Sequence, residues 1–97
     1  MSIKILPSAI EDLYAGRLFY EKQGHELGDY FFDFFFSDID SLALFGGIHE
    51  IHFGHHRLLA KRFPYAVYYK MDENIAVVRR VLDLRRHPDT IRKALRK

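Results

Sequence analysis

Residues 57–86 read RLLAKRFPYAVYYKMDENIAVVRRVLDLRR, and no other stretch restricts the architecture as tightly. Residues 66–71 are dense in Val and Tyr, and residues 75–84 in Ile and Val. Both compositions favour pleated, partly buried chain. Asp72-Glu73-Asn74 between them is short and polar, as a hairpin loop requires. Residues 57–63 form a third strand, bent where Pro64 lacks an N–H and fixes φ. Three consecutive strands joined by short turns specify the back half of a small antiparallel sheet.

The front half reads as strand then helices. Ile3-Lys4-Ile5-Leu6 is a short strand ended by Pro7. Pro7 or Ser8 opens a helix with Glu11 and Asp12 in its first turn, where the helix dipole favours acids. Ile10, Leu13, Tyr14 and Leu18 keep the spacing of one apolar stripe, and the helix runs to about Gln23. Gly24 and Gly28 bracket a turn, so a second helix follows antiparallel from about Glu26 to Phe45. Within it, aromatics fill all but one position of Tyr30-Phe31-Phe32-Asp33-Phe34-Phe35-Phe36. Phe31, Phe35, Ile39 and Leu42 share one stripe, Phe32 or Phe34 widens it, and Phe36 or Tyr30 must point elsewhere. The stripe reads as a wide core face, and its surplus as an apolar patch for a partner or second copy. Gly46-Gly47 ends the helix, residues 48–56 are loop or irregular strand, and Pro88 opens a short basic helix carrying Ile91 and Leu95. That last helix is expected to dock loosely, fray or be fixed by a partner. The fold class is therefore α+β, in the order β-α-α-β-β-β. An antiparallel-rich sheet of about four strands (3–6, 57–63, 66–71, 75–84) carries a helical hairpin on one face, the other face being left for partners.

A chain of 97 residues makes a single domain, and 48% hydrophobic with 29% charged residues excludes wholesale disorder. No cysteine is present, which excludes disulfides and thiolate metal sites and fits a reducing compartment. Neither a signal-peptide-like start nor a membrane-length apolar run is seen, so a soluble cytoplasmic protein without a membrane partner is expected. The net charge of +2 conceals a polarity. Residues 1–50 set Lys4, Arg17 and Lys22 against nine acids, giving −6, while residues 51–97 set twelve Lys or Arg against four acids, giving +8. That asymmetry puts a positive field on the sheet and C-terminal side, suited to an acidic protein segment or a nucleic acid.

Two constellations bear on chemistry. His49, His52, His55 and His56 crowd one segment, but Gly54 interrupts it and Glu50 is the sole carboxylate nearby, so no metal is assigned. The second is basic and aromatic. Arg57 and Lys61 share a strand face and Arg62 takes the other. Arg79 and Arg80 alternate, Arg85 and Arg86 close the last strand, and Tyr65 and Tyr69 add flat rings. Guanidinium groups suit phosphates and carboxylates, and tyrosines stack on bases, so these residues form the candidate partner-binding surface.

Arg62-Phe63-Pro64-Tyr65-Ala66-Val67-Tyr68-Tyr69, Ile75-Ala76-Val77-Val78, Val81-Leu82 and Arg85-Arg86-His87-Pro88 together resemble the second half of a RelE/ParE-family toxin. The likeness extends over nearly the whole chain and rests on the order of the motifs. Such proteins are the toxic halves of bacterial type II toxin–antitoxin pairs. In the ribonuclease branch, arginines hold the scissile phosphate and neighbouring groups move protons, without a metal. That branch carries an arginine where this chain has Tyr65, and often a histidine where this chain has Asp83. Arg62, Arg86 and His87 would be the catalytic set, with no tyrosine following. Phe63-Pro64-Tyr65 with Tyr68-Tyr69 is more similar to the ParE branch, which inhibits DNA gyrase by binding. The resemblance thus implies a ParE-like toxin that causes growth arrest, with no catalytic residue and no cofactor. Its partners would be a cognate antitoxin and DNA gyrase, and its assembly a homodimer or a toxin–antitoxin hetero-oligomer. Two alternatives stay open: a ribosome-dependent mRNA endonuclease, with ribosome and mRNA as partners, and a non-toxic binding module of the same fold.

Overall fold

Alternating burial along the two Val- and Tyr-rich runs gives the sheet its centre. Strands β4 (Tyr65–Asp72) and β5 (Ile75–Asp83) pair antiparallel across a turn at Glu73 and Asn74. The computed structural model describes residues 1–96. Along these the chain runs β1 (Ser2–Ile5), α1 (Pro7–Gln23), α2 (Leu27–Asp40), α3 (Leu42–Phe45), β2 (Ile51–His52), β3 (His55–Leu59), β4, β5 and α4 (Pro88–Leu95). The sheet has five strands in the order β1-β5-β4-β3-β2, with β1 parallel to β5 and every other pair antiparallel. The extra strand, β2, lies in the segment read from sequence as loop or irregular strand. It makes a tight hairpin with β3 through Phe53 and Gly54, both at positive φ.

One face of the sheet meets the helical hairpin. Tyr65, Val67, Tyr69, Ala76, Val78 and Val81 pack there against Leu13, Phe31, Phe35, Ile39 and Leu42. The second-helix stripe is therefore the expected one, although Ser41 separates α2 from α3. The first-helix stripe is not. Ala9, Leu13 and Gly16 are buried, whereas Tyr14 and Leu18 are more than half exposed. The reason is close approach: a Cβ on Gly16 would stand 2.3 Å from Phe31 Cζ, so the α1–α2 contact is made by small residues. Phe31, Phe63 and Tyr65 form an aromatic knot, with ring centroids 5.0 Å (Phe31–Phe63) and 5.3 Å (Phe31–Tyr65) apart.

The opposite face is not left open. Helix α4 lies on it, burying Ile91 and Leu95 against Ala66, Tyr68 and Leu82. His87 caps this helix by accepting the Asp89 N–H at 3.1 Å. The β5 edge beyond β1 is closed by α1. Ser8 Oγ donates to Arg79 O at 2.8 Å, and Asp12 Oδ2 accepts the Val81 N–H at 2.9 Å.

Candidate functional site

The sheet register sorts the sequence-predicted residues onto two faces. Tyr65 and Tyr69 point into the helix-covered core, 8% and 0% exposed, so neither ring is offered to a partner. Burial raises both phenols above their ordinary range. The Tyr69 hydroxyl accepts the Gly47 N–H at 2.9 Å and meets His49 Nδ1 at 2.5 Å. The tyrosine on the other face is Tyr68, which strand alternation separates from its neighbours and which the expected set omitted. The signal was in the sequence, since Tyr68 is out of phase with Tyr65 and Tyr69, but alternation alone does not say which face the helices cover.

The arginines divide between neutralised and free. Arg80 is clasped by Asp12 (Nε to Oδ2 2.7 Å, Nη2 to Oδ1 2.9 Å) and also donates to Ala94 O at 3.4 Å. It ties α1 to α4 around the sheet edge and leaves the expected binding set. Arg85 is held by Asp83 through Nε (2.9 Å) and Nη2 (2.7 Å). That contact keeps the Asp83 carboxyl below the usual range, so the pair presents little net charge. Arg79 falls at a β-bulge. Tyr68 opposes Arg80 and Tyr69 opposes Val78, so Arg79 has no cross-strand partner and the simple alternation read from sequence breaks there. Lys61 and Arg62 are exposed in the β3–β4 connection.

Arg57 and Arg86 are brought together. They line one cavity of about 280 Å³ with His52, Phe53, Tyr68, Leu84, Pro88 and Ile91. Arg57 lies directly opposite Tyr68 on the floor of the sheet. The Tyr68 side chain is fully buried, and its hydroxyl has no hydrogen-bond partner among the described residues. Burial raises its phenol and the nearby Arg57 guanidinium partly offsets this, though the two fall short of hydrogen-bond geometry. Neither Arg57 nor Arg86 has a carboxylate within ion-pair distance among the described residues. A cavity with two unpaired guanidinium groups, a donor-capable hydroxyl and no carboxylate in its lining suits an anion.

Arg62 lines neither cavity that Arg86 lines, and His87, largely exposed, caps α4 and contacts Asp89 at 3.7 Å. The histidines of the β2–β3 hairpin direct their Nδ1 atoms to local oxygens. His55 Nδ1–H donates to Phe53 O (2.9 Å) and His56 Nδ1–H to His49 O (2.6 Å), while His52 Nε2 lies 3.4 Å from Glu50. Among the described residues no group of three His, Cys, Asp or Glu side chains is placed to hold a metal ion. No helix among them is long and apolar enough to cross a membrane.

No protein-family model matches the chain, and no curated protein does either. Among solved structures it is similar to a chain described as "Chromosomal ParDE TA system from P. aeruginosa", with a TM-score of 0.78 and 18% sequence identity. The match covers 87% of this chain and 96% of that one, so it takes in the hairpin and the sheet together. At that identity the shared property is architecture, and the chain has a RelE/ParE-like α+β fold.

Proposed function

We propose that this chain is the toxin of a type II toxin–antitoxin pair, ParE-like in acting by binding DNA gyrase and held inactive by a cognate antitoxin. The likeness to a ParDE-system chain over nearly the full length of both molecules carries the reading. Arg62 is absent from the cavities that Arg86 lines and the His87 ring is engaged in capping α4, which favours binding over RNA cleavage, because cleavage needs phosphate-holding and proton-transferring groups around one centre. Lys61, Arg62, Arg79 and the Arg57–Arg86 pair remain as cationic contacts for an acidic partner. Leu44 and Phe45 of α3, Ile48 after it and Ile51 of β2, all more than half exposed, give an antitoxin segment apolar surface to cover.

Induced expression without a partner tests this in cells. The expected outcome is growth arrest with a DNA-damage response while bulk translation continues, relieved by co-expressing the antitoxin. Arrest with prompt loss of translation would favour the mRNA endonuclease, and undisturbed growth the non-toxic binding module.

A further inference from the structure

The cavity between the sheet and α4 holds a feature that neither gyrase binding nor antitoxin binding requires. Tyr68 is a fully buried phenol whose oxygen has no partner among the described residues, whereas the equally buried Tyr69 hydroxyl is paired. An unpaired buried hydroxyl is unfavourable, and phenylalanine would fill the same space without that cost. Tyr68 lines a cavity together with Arg57 from β3 and Arg86 after β5, neither of which has a carboxylate partner among the described residues. Donor-bearing side chains from three separate chain segments therefore line one small volume whose lining contains no carboxylate.

The walls restrict what can enter. On one side stand His52 and Phe53 of the β2–β3 hairpin; on the other stand Leu84, Pro88 and Ile91. The Arg92 guanidinium of α4 lies 5.8 Å from the centre of the Phe53 ring, so helix and hairpin touch across the cavity. Phe53 sits at φ 54°, a left-handed conformation unusual for a bulky side chain, in a turn position where Asn or Gly is common. A continuous nucleic-acid strand needs an open cationic track, and α4 occupies the sheet face where that track would run. The volume lies near the lower end of the roughly 300–1,000 Å³ typical of small-molecule sites.

We infer that this cavity binds the phosphate group of a small phosphorylated molecule, with Arg57 and Arg86 gripping its oxygens and the Tyr68 hydroxyl donating a third hydrogen bond. Two forked guanidinium groups and a hydroxyl exceed what one planar carboxylate can accept, and suit a tetrahedral dianion. The site stands whether or not the chain is a toxin, since it is argued from the cavity lining and the Tyr68 hydroxyl and not from the likeness to a toxin–antitoxin chain.

The test is titration calorimetry of the purified chain with inorganic phosphate, with adenosine 5′-monophosphate, with adenosine, and with single-stranded RNA oligonucleotides of increasing length. Phosphate and the monophosphate are expected to bind and adenosine is not; the ratio of the first two tells whether a free ion or an organic phosphate is preferred. Tyr68→Phe is expected to weaken binding about tenfold or more, as for a hydrogen bond to a charged acceptor. Its thermal unfolding should stay at or above that of the parent, because no existing bond is lost. Arg57→Gln and Arg86→Gln should each weaken binding at least as much. No binding of phosphate or the monophosphate at millimolar concentration overturns the inference. So does unchanged affinity in Tyr68→Phe, or affinity for RNA that exceeds the monophosphate and grows with length.

Discussion

At the scale of single residues, the fold depends on a few contacts that leave little slack. Gly16 lies against the ring of buried Phe31, which is hemmed in by Phe35, Phe63 and Tyr65. Gly16→Ala should therefore destabilise the protein by about 2 kcal/mol in urea unfolding, even though alanine is intrinsically the better helix former by about 1 kcal/mol. Asp12 is a second such point, serving both Arg80 and the Val81 N–H from a largely buried position. Asp12→Ala leaves a half-buried guanidinium and a backbone donor unpaired, and should cost about 2–3 kcal/mol by the same measurement. Neither site stands out in the sequence. Apolar spacing selected the large side chains of α1, Tyr14 and Leu18, as the buried stripe, whereas the chain uses its small residues to bring two helices close. Period-based reading weighs size and hydrophobicity, and close approach between helices inverts the first of these.

At the scale of elements, the strong periodic segments were legible and the ones set by tertiary partners were not. Phe31, Phe35, Ile39 and Leu42 form the buried stripe as their spacing requires, and β4 and β5 lie within one or two residues of their expected bounds. Helix α4 is too short to be stable alone, so its sequence pointed to loose docking; the hydrophobic face of the sheet beneath it supplies what the helix lacks. Leu95→Ala should accordingly cost about 2–4 kcal/mol in chemical denaturation, a value close to zero being the sign of a frayed helix. The Arg79 bulge likewise cannot be read from a strictly alternating pattern, and it shifts which arginines reach the open face. The β2–β3 hairpin carries a pH dependence. Burial holds His49 and His55 below the ordinary imidazole range, with His56 adding to the effect on the first, and Lys70 and Arg79 to that on the second. As pH falls through about 6.5 the unfolded chain takes up protons before the folded one does, so this contribution to stability is present above that pH and is lost below it. The urea midpoint should fall between pH 7.5 and 5.5, and the fall should shrink in His55→Asn; an unchanged midpoint in the parent would contradict the assignment.

At the scale of the molecule, the charge polarity seen along the sequence is partly internal. Asp12 from the acidic half neutralises Arg80 from the basic half, and Asp83 neutralises Arg85 within it. Of the expected binding set, Arg57, Lys61, Arg62, Arg79 and Arg86 are without an ion pair among the described residues. Under the proposed function such a set serves binding, whereas RNA cleavage would need phosphate-holding and proton-moving groups around one centre. The central claim is inhibition by binding, and a DNA supercoiling assay with purified gyrase and graded excess of this chain tests it most directly, run beside translating ribosomes supplied with mRNA. The account predicts that supercoiling is lost in proportion to the added chain while the mRNA stays intact. Unimpaired supercoiling at large molar excess, or mRNA cleavage that disappears in His87→Ala, would contradict it.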